Sequence, residues 1–243
     1  MEVQHHKHTH HKKWTQYIWD FFMLFLAITL GFVVENRREH FIEHKRMKKY
    51  LANVLQDVKS NISQLDSLLY QNNAMLLQYD SLLGQLLKKP AQVDRYHYAQ
   101  QIFPVFMRLF KNRKETFEQM IMTGSLRYLE NDRILNNLVG YNRFADLTEW
   151  RAMENERKIA LEQNYPEIYR HFDATCLMLD IPGKKPIPGH TDIITGHEAA
   201  GFCDEVSKAF VSRIRFMRLS YDTYLQLRLQ SIQLEKLLED YLK

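Results

Sequence analysis

Residues 14 to 34 read WTQYIWDFFMLFLAITLGFVV, and from position 21 onward the stretch holds no charged side chain. A bilayer's hydrocarbon core is about 30 Å thick and takes roughly 20 apolar helical residues to cross, so a segment of this length and character has few places to go. The flanks decide between lipid and a buried core. Trp14, Tyr17 and Trp19 stand at one end, where amphipathic rings favour the headgroup layer, and Lys12 and Lys13 precede them. The other end stops at Glu35, Asn36, Arg37 and Arg38. The sequence therefore predicts one transmembrane helix, with Phe21, Phe22, Leu24, Phe25, Leu26, Ile28, Leu30, Phe32, Val33 and Val34 as its lipid-facing body. Asp20 lies close enough to the tryptophan end for its carboxylate to reach the interface. A secretory leader has a shorter apolar run, about 7 to 15 residues, and small residues at its cleavage site. Here VVENRREH follows, so an uncleaved anchor is expected.

The remainder of the 243 residues suffices for one domain with its own core. With 33 basic and 29 acidic side chains, the net charge of +4 reflects a near-balanced mixture rather than a cationic nucleic-acid surface. Nucleic acid is thereby excluded as an expected partner. Only 8 Gly and 6 Pro interrupt the chain, and no run alternates as a strand would, so the expected fold is all-α.

Residues 1 to 13 form a His-rich tail in which His5, His6, His8, His10 and His11 are candidate metal ligands, each neutral ring offering a lone pair. The plainer reading is a solvated tail without fixed geometry. From residue 35 to 89 no Pro occurs before Pro90, so the membrane helix can continue as a long stalk. Leu51, Leu55, Val58, Ile62, Leu65, Leu69, Leu76, Leu83 and Leu86 recur at spacings of four and three, with Asn72 and Tyr79 in the remaining positions. A second line at Leu68, Met75 and Leu82 widens the stripe toward bundle packing. Asn72 is read either as a register-setting polar residue or as a hydrated surface one.

Residues 90 to 243 are expected to fold back as a helical bundle on the stalk. Phe103, Phe106 and Phe110 read as core filling around a break at Pro104. Thr123, Gly124 and Ser125 form a helix stop, and Asn131 or Asp132 can cap a helix expected to run from about 132 to 180, with a bend at Pro166. The stretch IPGKKPIPGHTDIITGH, residues 181 to 197, is the one long loop expected. From about 198 onward the pattern is helical, with Leu225, Leu229, Ile232, Leu237, Leu238 and Leu242 as its apolar face and a break near Ser220 or Asp222.

HHKHTHHKKWTQYIWDFFMLFLAITLGFVVENRREHFIEHKR, and more loosely TFEQMIMTGSLRYLENDRILNNLVGYN, resemble an uncharacterised family of single-pass membrane proteins from Bacteroidetes-type bacteria. The resemblance implies an N-terminal anchor and a helical domain, and adds no catalytic residue.

Chemical motifs are sparse. Cys176 and Cys203 flank the long loop at similar distances, so a helix hairpin can bring them together as a disulfide; two buried thiols are the other reading. His190, His197, Asp192 and Glu198 offer metal donors without a recognised spacing, and His40 and His44 share a face of the stalk without the HExxH order of a zinc protease. No nucleophile elbow, dinucleotide turn or phosphate loop is present, and no cofactor is expected.

The expected function is a non-enzymatic, membrane-anchored interaction or scaffold protein in a bacterial inner membrane, with the bilayer and a protein partner or second copy, met through anchor and stalk, as its contacts. The alternative is a sensory module that binds a small ligand or metal. Basic residues after the span favour a cytoplasmic domain, whereas the candidate disulfide favours the periplasm, to which this reading inclines.

Overall fold

The computed structural model describes residues 14–102, 109–158, 169–180 and 183–243. The His-rich tail with His5, His6, His8, His10 and His11, together with Phe103, Phe106, Pro104, Pro166 and Pro182, lies outside the described residues. Among the described residues the order is α1 (Trp14–Leu87), β1 (Gln92–Asp94), α2 (Arg95–Ile102), α3 (Glu115–Met122), α4 (Asp132–Lys158), α5 (Ala174–Leu177), β2 (Ile193–Thr195) and α6 (Gly196–Leu242). The protein is all-α apart from the short pairing of β1 with β2.

α1 is a single helix of 74 residues, about 110 Å long at 1.5 Å per residue. Its first part is long and apolar enough to cross a membrane, and none of that apolar window is buried within the protein. The helix ends where expected, at Lys88, Lys89 and Pro90, with Lys89 at φ +47°. α6 runs antiparallel beside α1. Arg228 pairs with Asp66 and Arg218 with Asp80, while Lys89 at the far end of α1 meets Asp204 near the start of α6. Such exposed pairs add little stability but fix the direction of pairing.

Packing between the two helices supplies most of the core. On α6 the main buried line is Ala199, Cys203, Val206, Phe210, Ile214, Met217, Ser220, Tyr224, Leu227, Ser231, Leu234 and Leu238, an unbroken run of threes and fours. The α1 partner line is Met47, Leu51, Val54, Val58, Asn61, Leu65, Leu68, Asn72, Tyr79, Leu82 and Leu86, with partly buried Met75 completing the rhythm. Leu51, Val58, Leu65, Asn72, Tyr79 and Leu86 of the expected heptad lie on this line, whereas its alternate positions shift by one residue, to Val54, Asn61 and the second-line residues Leu68, Met75 and Leu82. Leu76 and Leu83 sit at the rim, partly buried, as does Ile62. Asn72 is buried, which removes the hydrated surface reading, and its Nδ2 donates to the Met217 carbonyl at 3.2 Å.

The apolar residues fall into two clusters in series. One, nearer the apolar segment, gathers Met47 through Leu69 of α1 with Phe110, Met120, α4 residues Ile134, Leu138, Tyr141 and Ala145, and the end of α6. The other gathers Tyr79 through Leu86 with β1, α2, α5, β2 and the first half of α6.

Four further expectations are corrected. No single helix spans 132 to 180: α4 is described over Asp132–Lys158, residues 170 to 173 are not helical, and Asp173 caps a separate four-residue α5 by accepting from the Cys176 N–H at 2.8 Å. Residues 193 to 195 of the expected loop pair antiparallel with β1, because Val93 and Ile194 each bury one side chain, three residues being too short for a period to show. α6 has no break at Ser220 or Asp222; Ser220 is buried, and elsewhere Ser207 and Ser231 direct their hydroxyls to carbonyls four residues back. Leu225, Leu229 and Ile232 form an exposed stripe rather than the packing face. The Gly124 stop holds, with φ +66°, and Asn131 accepts from the Ile134 N–H at 3.1 Å as the cap of α4.

Candidate functional site

Two polar clusters are built into the bundle. The first holds the connection into α3. The N–H groups of residues 110 to 113 have no helical partner, and side chains from three helices take them in turn: Tyr224 at 3.4 Å, Gln64 at 2.7 Å, Glu149 at 2.8 Å and Asn61 at 2.9 Å. Fully buried Asn61 also donates to the Asn112 side chain, the Arg113 carbonyl and the Tyr141 hydroxyl, each at 3.0 Å. Lys114 lies 2.9 Å from Asp146, which raises its pKa. Every donor here is answered within the protein, so the cluster is a structural lock.

The second cluster closes the end of the bundle farthest from the apolar segment. β1 and β2 bring Asp94, Arg95 and Asp192 together. Asp94 Oδ1 accepts from the N–H groups of Tyr96, His97 and Asp192, which fixes the turn into α2. Arg95 grips Asp192 with two hydrogen bonds, Nε at 2.8 Å and an η nitrogen at 3.0 Å, and its other η nitrogen reaches Glu198 at 3.3 Å. The fork geometry raises the Arg95 pKa. Tyr96, fully buried, accepts from the Ile187 N–H at 2.7 Å and stands edge-on to the His190 ring at 4.5 Å. His190 Nε2 is buried without a hydrogen-bond partner among the described residues.

Cys176 is buried against this latch. Asp173, Cys176 and Asp192 present one oxygen, one sulfur and one oxygen within 4.8 Å of one another. Burial first, and then the facing Asp173 and Asp192 carboxylates, push the Cys176 thiol up to about 12, so it is a neutral thiol at physiological pH. The Asp173 carboxyl is held below its usual range, first by its bond from the Cys176 N–H. These donors suit a borderline divalent ion such as zinc. Arg95 already engages both Asp192 oxygens, so an ion has to displace the guanidinium; as it stands the group is an ion-paired clasp.

Of the sequence candidates, Cys176 and Cys203 share the distal core but are free thiols rather than a disulfide. The sulfur of Cys176 faces Asp192, while burial, with nearby Asp204, raises the pKa of Cys203. Asp192 and His190 join the clasp; His197 is exposed. His40 and His44 stack at 6.3 Å on α1, and His40 lies 3.4 Å from Glu130. Asn61, Arg95 and Asp173 were not singled out in the sequence. Asn61 had a signal: counting back by sevens from Leu68 reaches it, then Val54 and Met47.

The fold and these clusters define an antiparallel two-helix spine, braced by α4 and closed by a strand clasp. No family model, no curated protein and no solved structure matches the chain.

Proposed function

We propose that this is a membrane-anchored helical interaction module, of the single-pass inner-membrane kind its N-terminal segment resembles, without catalytic activity. The observation that carries this reading is the unbroken α1, which has an exposed apolar segment at one end and forms half of a packed bundle spine at the other. The cores are largely apolar, and both polar clusters are internally paired apart from His190 Nε2. The exposed line Leu225, Leu229 and Ile232, at spacings of four and three on α6, supplies an apolar strip suited to a partner helix. With the cysteines unbonded, the argument for an oxidising compartment lapses. The basic residues after the span, Arg37, Arg38, Lys45, Arg46, Lys48 and Lys49, then favour a cytoplasmic domain.

The test is cross-linking in intact cells through Leu229→Cys, with membrane-impermeant labelling of Gln56→Cys to read the side. A discrete cross-linked product through Leu229→Cys, lost on Leu225→Glu, is expected; a protein that stays monomeric and uncross-linked at every expression level rejects the interaction reading. The sensory alternative has one favourable observation, the Asp173, Cys176 and Asp192 donor group. Zinc that raises the melting temperature of wild type but not of Cys176→Ala supports it.

A further inference from the structure

We infer that the groove where α1 leaves the anchor is a docking surface for anionic phospholipid. The inference rests on the membrane reading above and adds the partner that this end of the bundle meets. The groove encloses about 720 Å³ between α1 and α3. Phe41, Ile42 and Tyr50 give it an apolar side, Lys45, Arg46 and Lys49 a cationic one, and Gln119 of α3 closes it. Phe41 is 71% exposed and adjoins exposed Ile42, so the two form an apolar patch rather than a single surface residue. Ile121 and Met122, at the end of α3, are exposed as well.

Position and charge together name the occupant. Phe41 lies seven residues past Val34, about 10 Å along the helix, and Lys49 about 22 Å. The headgroup layer extends about 5 to 8 Å beyond the hydrocarbon core, so the near end of the groove lies just outside it, and on a tilted helix the long lysine stems reach back toward its phosphates. Arg38 and Arg46 are matched by Glu35 and Glu43 on the same helix. Lys45, Lys48 and Lys49 have no ion-pair partner among the described residues, leaving a net positive collar. A phosphodiester lipid satisfies both kinds of lining: phosphate oxygens meet the lysine ammonium groups, and the glycerol end of the lipid lies toward Phe41 and Ile42. A zwitterionic lipid brings its own cation to the collar and is disfavoured.

The experiment reconstitutes the full chain into nanodiscs of phosphatidylcholine alone or mixed with phosphatidylglycerol, and counts retained lipids by native mass spectrometry. Wild type is expected to retain phosphatidylglycerol roughly thirtyfold over phosphatidylcholine, the preference that two unpaired lysines near a membrane surface supply. The double variant Lys45→Gln/Lys49→Gln should lose most of that preference, and Phe41→Ser should lower retention of both lipids. Equal retention in wild type, or a preference that the lysine variant keeps, overturns the assignment. So does efficient cross-linking of two chains through Phe41→Cys whatever the lipid, which gives the groove to a second copy. Alkaline extraction from neutral vesicles reads the anchor separately. A chain that alkali strips away overturns anchor and groove together; one that stays embedded with equal retention overturns the groove alone.

Discussion

Two buried asparagines on the same face of α1 have opposite roles. Asn61 uses both hydrogens and its carbonyl oxygen on partners outside its own helix, including the Arg113 N–H. Asn72 makes one bond, to a carbonyl, and its Oδ1 is buried without a partner among the described residues. Truncating Asn61 strands several polar groups at once, so Asn61→Ala should cost about 3 kcal/mol, whereas Asn72→Ala should change stability by less than about 1 kcal/mol. Urea unfolding of both variants decides, and equal losses would refute the distinction. Cys176 makes a separate prediction, with a definite sign. An unfolded cysteine ionises near pH 8.5, roughly three units below the folded thiol at about 12, so the unfolded state sheds its proton first. The thiol's contribution is fully present below about pH 8.5 and is lost as pH rises toward 12, at about 1.4 kcal/mol per unit. Between pH 7 and 10 the urea midpoint of wild type should therefore fall further than that of Cys176→Ala.

At the scale of elements, the sequence made α1 legible because two independent signals, an uncharged apolar run and a heptad rhythm, agree over a stretch without proline. What it concealed follows from residue type. Reading apolarity alone picked Leu225, Leu229 and Ile232 as the inner face of α6, yet the buried line one position away includes Ser220 and Ser231, small residues that let the helices approach. The same bias passed over Asn61. Asp173 gave no warning that it caps a new helix, and the three-residue strands are too short to show a period. The clasp was half visible: Asp192 and His190 stood out as polar residues in a loop, but nothing local ties them to Arg95, nearly a hundred positions earlier. If the Arg95 fork holds β2 in place, Arg95→Ala should speed hydrogen exchange about tenfold or more at residues 92 to 96 and 192 to 196. Exchange in the first half of α4, whose Ile134, Leu138, Tyr141 and Ala145 pack in the other cluster, should stay unchanged. Uniform acceleration across both regions would show that the clasp has no local role.

Taken whole, the molecule is a rod whose length is set by one helix. From Val34 to Leu87 α1 runs 53 residues, about 80 Å, and α6 returns alongside it so that Leu242 packs in the cluster nearer the proposed anchor. Both clusters lie along this spine and share its two helices, which makes the bundle a stiff extension of the exposed apolar segment proposed above as the anchor. Under the proposed anchoring, the distal clasp is held far from the bilayer while the basic collar stays beside it. A break in α1 outside the packed region should uncouple the two ends without unfolding the bundle. Glu39→Pro supplies one: position 39 is exposed, precedes the first buried spine residue Met47, and proline there removes a helical hydrogen bond and clashes with the preceding turn. In nanodiscs viewed by electron microscopy, wild type should project as a rod about 80 Å from the bilayer at a narrow range of angles. Glu39→Pro should keep the rod's length and melting temperature but broaden its angles. A wild-type bundle that already lies at random angles to the disc would show that α1 does not transmit its direction across the membrane surface, and the rigid-extension reading would fall.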